Sequence, residues 1–258
     1  MRNKKSLIIL AVLLLTVLVA EVTIWQVKNH KGKKSGEETG TEVNINPPIP
    51  VTMSEEMVAK ENAEILDAYK AMKEDNPDFA GYLRIPGTRI EYPVMYTPSD
   101  PEKYLHSDLY GAYSDYGLPF IDTRCDLDPE SDNIIIYGHN MKDGSMFATI
   151  IDYQDKSYFD EHPVIRYDTP DEIREYEVMS VFYDRVYYED EDVFKFYNFY
   201  HAYNEDEFNE AVDQYLKKSL YDTGIRAEYG DKLVTLVTCA YHTENGRFVV
   251  IARRKQAE

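Results

Sequence analysis

Apolar positions change their spacing along the chain, and each change marks a different kind of segment. A nearly unbroken apolar run extends through residues 7–27, with one acid, Glu21, inside it. Residues 28–51 are polar, contain Gly and Pro and have no periodicity, which is typical of a linker. Residues 53–75 then repeat apolar side chains at helical spacing until an Asn-Pro pair ends the run. The pattern therefore predicts a hydrophobic segment, a linker and one amphipathic helix.

Beyond the helix, short apolar or alternating runs are separated by turn residues, which is the pattern of β-strands. The expected strands cover residues 80–85, 89–95, 118–122, 132–137, 163–168, 174–183, 232–239 and 247–254. A short helix is expected over 144–152, and an amphipathic helix over 205–219, capped by Asn204 with Glu207. Eight short strands with few helices predict a mainly β fold with peripheral helices, either a closed barrel or a sandwich.

The apolar N-terminal run places the protein relative to a membrane. Residues 6–27 are about long enough to cross a hydrocarbon core of roughly 30 Å at ~1.5 Å per residue. A cleaved signal peptide ending near Ala20 is the alternative, but Leu18 is a poor match to the small residue that cleavage requires. We therefore expect an uncleaved single-pass anchor.

This anchor implies a division of the chain into four parts. Basic residues lie on both sides of the anchor, so the charge distribution does not fix its orientation. A short N-terminal tail that stays inside is the simpler topology. The expected parts are a cytoplasmic tail over 1–5, the anchor over 6–27, the linker over 28–51 and an extracellular domain over 52–258.

The charge of the chain is unevenly distributed and excludes one class of partner. The net charge is −19, yet the first 36 residues carry seven Lys or Arg and one acid. The remainder holds 21 bases and 46 acids. Because residues 37–258 are so acidic, the phosphate backbone of a nucleic acid would repel them, and we expect no nucleic-acid partner. Two cysteines, Cys125 and Cys239, are too few for a disulfide framework.

Cys239 ends a predicted strand, and the next strand begins nearby at Arg247. The Asn245-Gly246 pair between them is a strong turn signal, so the second strand folds back beside the first. An antiparallel return brings the guanidinium close to the sulfur, where it could hold a substrate carbonyl or a developing oxyanion. Taken alone, a lone cysteine is more often a small buried hydrophobic residue, and a charged residue at the start of an apolar stripe is more often a rim residue.

A cysteine nucleophile needs a group that transfers protons, and His139 is the best candidate. It follows the most apolar strand directly after Gly138, where catalytic side chains are often displayed. A loop histidine bonded to the backbone fits the same position. The other histidines lie in the linker or in ordinary loop contexts: His30, His106, His162, His201 and His242.

Two segments together resemble the signature segments of the sortases, which are membrane-anchored cysteine transpeptidases of Gram-positive bacteria. They are "NIIIYGHNMKDGSMF" around His139 and "TLVTCAYHTENGRFVV" around Cys239 and Arg247. The resemblance covers about residues 53–254. The helix before the first strand, the helix over 205–219 and "YGHNMKDGSMF" resemble class B.

The resemblance implies a closed eight-stranded sortase β-barrel, with one helix before it and another between strands 6 and 7. Cys239 would be the nucleophile, His139 the general acid/base and Arg247 the stabiliser of substrate and oxyanion. The loop over 184–203 would form one wall of the substrate groove. The residues expected to bind substrate are Tyr137, Leu105, Val237 and Thr238. No third carboxylate is assigned, because Ala240 and Tyr241 follow the cysteine.

The implied reaction is cleavage of a C-terminal sorting motif after its threonine, through a thioacyl-enzyme. The acyl group would pass to an amine of a cell-wall precursor or a pilin. The chain would then be a thiol enzyme of the hydrolase type, located at the cell membrane, acting on surface proteins that bear sorting signals. This chemistry requires no metal and no organic cofactor.

Other functional classes remain as alternatives. A membrane-tethered, non-catalytic β-barrel binding module would carry Cys239 as a buried residue. A papain-like peptidase is disfavoured, since its cysteine lies near the mature N-terminus and opens a helix. A zinc site is disfavoured because the cysteines are distant and no paired Cys/His spacing is present. Cys125, flanked by acids, is interpreted as incidental.

Overall fold

The computed structural model describes residues 55–256. The predicted tail, anchor and linker over 1–5, 6–27 and 28–51 lie outside the described residues, as does the start of the predicted domain at 52–54. Within 55–256, no helix combines the length and the apolar character needed to cross a membrane.

The chain divides into two units between Glu64 and Ile65. Helix α1, Glu55–Asp75, begins in the first unit, where Lys60 and Glu64 form an exposed i, i+4 ion pair. Its second half carries the buried side chains, Ile65, Ala68 and Tyr69. The helix predicted over 53–75 is confirmed over its described part.

All eight predicted strands are present, and they close into a barrel. Around the barrel the order is β1-β2-β3-β4-β7-β8-β6-β5, with β5 pairing back onto β1. The closed barrel leaves few open strand edges, which distinguishes it from the sandwich alternative. The strands are β1 Phe79–Arg84, β2 Glu91–Met95, β3 Phe120–Ile121, β4 Asn133–Tyr137, β5 Val164–Asp168, β6 Glu175–Arg185, β7 Leu233–Cys239 and β8 Gly246–Arg254.

Strand β7 lies between β4 and β8, and this placement organises one end of the barrel. β7 is parallel to β4 and antiparallel to β8. The C-terminal ends of β4 and β7 therefore lie at the same end of the barrel as the N-terminal end of β8. Almost every residue of β4 and β7 is buried, which explains why both read as unbroken apolar runs.

The helix predicted over 144–152 is wrong in its position. A 3-10 helix covers Ala148–Gln154, and a short α-helix, α2, covers Lys156–Glu161. Met146 has φ 55°, a left-handed conformation that a right-handed helix cannot include. The helical segment therefore starts only after Phe147.

Helix α3, Glu205–Lys218, confirms the amphipathic helix predicted between β6 and β7. The Asn204 side chain accepts a hydrogen bond from the Glu207 backbone N–H at 3.0 Å, as the capping pattern predicts. Acids occupy its first turn and lysines its last, which suits the helix dipole. Its apolar stripe is buried: Phe208, Ala211, Val212 and Tyr215.

Candidate active site

Cys239 and Arg247 are directly opposite each other in the β7–β8 pair. Directly opposed residues of antiparallel strands share a face, with Cα atoms about 4.5–5.5 Å apart. Both residues are half-buried, and Cys239 is a free thiol. The structure therefore places the guanidinium on the same face as the sulfur, as the turn signal predicts.

The tight turn before β8 fixes the backbone on which Arg247 stands. The Ala240 N–H donates to the Gly246 carbonyl at 3.0 Å, and a Cβ on Gly246 would lie 2.2 Å from the Ala240 carbonyl oxygen. Only glycine fits this approach. Nη1 of Arg247 donates to the carbonyls of Asn245 and Gly246 at 3.2 and 2.9 Å. These bonds hold the guanidinium against the carbonyls of its own turn.

The parallel register of β4 and β7 brings His139 level with Cys239. Tyr137 pairs with Val237, and each candidate residue stands two positions further along its own chain segment. The register continues past the strand end, since the Gly138 N–H donates to the Val237 carbonyl at 3.0 Å. Two residues 100 positions apart in the sequence are therefore adjacent at one end of the barrel.

Gly138 is required by close packing beneath the histidine loop. A Cβ at this position would lie 2.5 Å from the ring of Phe147, whose own N–H donates to the His139 carbonyl at 2.8 Å. The Phe147 ring is fully buried. The short loop that displays His139 is thus folded tightly onto the core.

The His139 imidazole is held by a backbone carbonyl from a distant loop. Its Nε2 lies 2.8 Å from the Leu105 carbonyl oxygen. A carbonyl only accepts hydrogen bonds, so Nε2 carries the proton of this bond. In the neutral ring, Nδ1 then holds the lone pair that can take up a proton.

Asn140 joins the histidine loop to the cysteine, and sequence reasoning missed it. Its Nδ2 donates to the Cys239 carbonyl oxygen at 2.8 Å. Its position next to His139 in "YGHN" indicated that it lies near the site. No sequence pattern indicated its bonding partner, which is 99 residues away. This bond fixes the spacing between the two loops that carry the candidate acid/base and the candidate nucleophile.

The residues expected to bind substrate lie at the same end of the barrel, but their surroundings differ. Leu105 and Tyr137 are half-buried. Val237 and Thr238 are only 1% and 2% exposed, and the Thr238 hydroxyl donates to the Gly138 carbonyl at 2.8 Å. Contact of a substrate with these four residues stays a prediction.

Tyr137 takes part in a polar cluster that was not predicted. Its hydroxyl donates to Asp122 at 2.9 Å, and Arg124 donates to both oxygens of the same carboxylate at 2.9 and 2.6 Å. Burial alone would raise the pKa of Asp122, but the hydrogen bonds from Arg124 lower it below its ordinary value. Burial raises the pKa of the Tyr137 hydroxyl. Tyr137 is therefore held as a neutral donor to an ionised acid.

The same arginine reaches the segment between β6 and α3 that was expected to form a groove wall. Nη1 of Arg124 donates to the Asn198 side chain at 3.0 Å, and the guanidinium lies 5.8 and 6.0 Å from the ring centres of Tyr200 and Tyr197. The wall segment is thereby connected to the end of β4 through Tyr137.

Comparisons with known proteins show the family of the chain. The Sortase domain family matches residues 83–255, which is most of the described chain. Sortase B of Listeria monocytogenes is 34% identical over 197 residues, covering 73% of this chain and 74% of that protein. The chain belongs to the sortase family.

Solved structures extend the agreement to three dimensions and to class B. A mutant form of Clostridium perfringens sortase B matches with a TM-score of 0.68 and 26% identity, over 77% of this chain and 91% of that one. A Staphylococcus aureus sortase B–substrate complex has a TM-score of 0.65 at 21% identity, over 80% of this chain and all of that one, and supports the fold. The protein is a class B sortase with the eight-stranded barrel.

The other cysteine of this sortase is part of the core. Cys125 is 0% exposed, and its Sγ lies 3.4 Å from the Asn133 carbonyl oxygen. Burial raises its pKa to about 12, so it stays a thiol at neutral pH. Burial contributes more to this raised pKa than the neighbouring acids Asp122 and Asp126 do. Within residues 55–256, no three His, Cys, Asp or Glu side chains are grouped so that they could hold a metal ion.

Cys125→Ser tests whether this thiol takes part in the reaction. We expect kcat/KM for a sorting peptide to change by less than about twofold, because the thiol is buried and protonated. The serine hydroxyl can donate to the same carbonyl, which preserves the local hydrogen bond. A loss greater than about tenfold, or 1.4 kcal/mol of transition-state stabilisation, in a variant with unchanged thermal unfolding would show that Cys125 contributes.

Asn140→Ala tests the bond that joins the loops of the candidate acid/base and the candidate nucleophile. We expect kcat/KM to fall about five- to tenfold, in keeping with the loss of a side-chain hydrogen bond worth roughly 1–1.5 kcal/mol. Steady-state kinetics with a sorting peptide measures it. Asn204→Ala is the matched control: it removes an asparagine hydrogen bond at the cap of α3, and should lower stability by about 1 kcal/mol without changing kcat. Equal kinetics in both variants would contradict the role of Asn140.

Proposed function

We propose that this sortase cleaves a C-terminal sorting motif after its threonine and transfers the protein to an amine. Sortases are cysteine transpeptidases, and class B membership supports the same activity here. The observation that carries the proposal is the convergence of Cys239, His139 and Arg247 where β4, β7 and β8 meet.

The first half of the reaction forms a thioester. The Cys239 thiolate attacks the threonine carbonyl, and a C–S bond forms as the oxyanion develops. The Arg247 guanidinium is a planar fork of donors suited to that oxyanion. As the tetrahedral intermediate collapses, the C–N bond breaks and His139, which carries the proton taken from the Cys239 thiol, donates it to the departing amine.

The second half returns the enzyme to its starting state. An incoming amine attacks the thioester, and His139 takes up the proton that the amine loses. The C–S bond breaks, an amide forms and the thiolate is released. With Nε2 bonded to the Leu105 carbonyl, Nδ1 is the nitrogen that exchanges these protons. Water in place of the amine gives hydrolysis.

The proposed partners are surface proteins with sorting signals and an amine acceptor on a peptidoglycan precursor or a pilin. Staphylococcus aureus sortase B, which shares this fold, has been solved as a substrate complex. In this chain the half-buried Leu105 and Tyr137 flank His139 and are the proposed peptide contacts. Val237 and Thr238, which are buried beneath the loop that carries His139, would support the floor of the substrate groove.

The proposed location is the cell membrane, with the catalytic domain outside. The support is the apolar run over 6–27, which follows a short basic start and precedes a polar linker. A protease-protection assay on intact cells tests it: the domain over 52–258 should be degraded by added protease, whereas a cytoplasmic marker should survive.

The activity is tested with a panel of fluorogenic peptides of the NPxTx, SPxTG, PPxTG and LPxTG types, with and without a small primary amine. We expect one motif to be cleaved after threonine and the product to carry the amine. Cleavage of no peptide, together with a thiol reagent that fails to modify Cys239, would favour the non-catalytic binding module.

A further inference from the structure

A second histidine stacks on the candidate acid/base of this sortase. The rings of His106 and His139 have centroids 5.6 Å apart and planes inclined by 25°. Tyr113 stacks on the same His106 ring, with centroids 6.1 Å apart and an inclination of 25°. The His106 ring therefore contacts both the exposed Tyr113 and His139. The separations lie in the range of favourable offset stacking.

The loop that carries His106 is ordered by its own backbone. The Ser114 N–H donates to the His106 carbonyl at 3.0 Å, and the Leu118 N–H donates to the Tyr104 carbonyl at 2.9 Å. Gly117 closes the loop with φ 57°, and a Cβ there would lie 2.4 Å from the carbonyl oxygens of Tyr104 and Leu105. The buried ring of Tyr104 anchors the loop start. His106 is therefore held in place although its side chain is exposed.

We propose that His106 is a positioning residue, whose ring holds the imidazole of His139 in its reactive orientation. The loop contacts His139 twice: the Leu105 carbonyl bonds its Nε2, and the next residue covers a face of the ring. One hydrogen bond alone restrains Nε2 but still allows the plane of the ring to tilt about the Cβ–Cγ bond. The stacked ring removes this freedom, so that Nδ1 stays directed towards the reacting groups.

This role differs from general acid/base chemistry and from a merely structural contact. Stacking needs an aromatic face and no titrating nitrogen, so phenylalanine should replace His106 and alanine should not. Proton transfer takes place at His139, so its misorientation lowers kcat and leaves peptide binding unchanged. Small displacements of a catalytic group can cost on the order of 10²-fold in rate. Because His106 is exposed and acts on His139 only through ring stacking, its loss should lower the rate by less than this.

The test compares His106→Ala and His106→Phe in the purified full-length chain, with the peptide that the wild type cleaves. We expect His106→Ala to lower kcat about tenfold with KM within about twofold, and His106→Phe to stay within about twofold of wild type in both. His201→Ala is the matched control, since His201 is another exposed histidine that contacts a tyrosine ring, here Tyr203 edge-on, and it lies at the opposite end of β4. Its kinetics should not change.

A second readout is independent of activity, because the proposal rests on the proposed function. In proton NMR the Hε1 resonance of His139, assigned by its absence in His139→Gln, should move when the His106 ring current is removed. We expect the shift to change in His106→Ala and to be largely retained in His106→Phe. If the wild type cleaves no peptide, the proposed function fails, and this shift alone decides whether the rings are stacked.

Three results would overturn the proposal. An unchanged His139 resonance in His106→Ala would show that the rings are not stacked in solution. A changed resonance with unchanged kcat would show that the contact does not position the acid/base. Equal losses of kcat in His106→Ala and His106→Phe would mean that a ring nitrogen, and not the stacked face, is what matters.

Discussion

We expect Cys239→Ala to abolish both cleavage of the sorting peptide and transfer to an amine. Without the sulfur no thioester forms, and the reaction loses its covalent intermediate. In other enzymes with a covalent intermediate, removal of the nucleophile costs about 10⁴-fold or more in kcat. Cys239 is half-buried at the end of β7, so the smaller side chain should leave the barrel intact. Peptide cleavage and thermal unfolding, measured on the same preparation, check both statements.

Cys125→Ser is the matched thiol control for this result, since it removes the other cysteine from the same barrel. The expected pattern is full activity in the control and none in Cys239→Ala. Sorting-peptide cleavage by Cys239→Ala at a rate within about tenfold of wild type would show that the reaction uses another site.

We expect Arg247→Lys to lower kcat by about 10²–10³-fold, the range found when one oxyanion-stabilising donor is removed. The charge is kept, but one ammonium cannot reproduce a planar fork of donors. Arg247 also bonds two carbonyls of its own turn through Nη1 while facing the cysteine. A lysine can satisfy the turn or the oxyanion, but it lacks the geometry for both. Single-turnover kinetics of acyl-enzyme formation would place the loss in the first chemical step.

Arg253→Lys is the matched control because it lies on the same strand, at the other end of β8. Its guanidinium bonds Glu177 at 2.7 Å and the Arg226 carbonyl at 2.9 Å, away from the cysteine. This variant should keep wild-type kcat. Wild-type turnover in Arg247→Lys as well would mean that Arg247 is only a rim charge.

The architecture of this sortase was predictable because the pattern of apolar residues in each strand reflects how that strand is buried. β4 and β7 are buried on both faces and read as continuous apolar runs, while Asn245 and Gly246 announce the return strand. The capping pair at α3 also behaves as its sequence predicts. Local patterns of this kind predict the strands, the helix and which strands pair through a turn. The pairing of β7 with β8 then gives the positions of Cys239 and Arg247.

The contacts around His139 were not predictable in the same way. Asn140 bonds a residue 99 positions away, and His106 reaches His139 from a loop 33 positions earlier. His106 looked like an ordinary loop histidine because no periodicity connects it to the site. The displaced helix after Met146 has a related cause, since a single left-handed residue interrupts a segment whose composition favours a helix. Such features depend on tertiary packing.

Covalent catalysis by Cys239 is tested by mass spectrometry of the wild-type protein, trapped during turnover of a cleaved sorting peptide. We expect one added acyl fragment that ends at threonine, attached to the tryptic peptide that contains Cys239, and its loss on treatment with hydroxylamine. The same experiment on Cys239→Ala should show no adduct. An adduct on any other residue, or turnover without a covalent intermediate, would contradict the proposed mechanism.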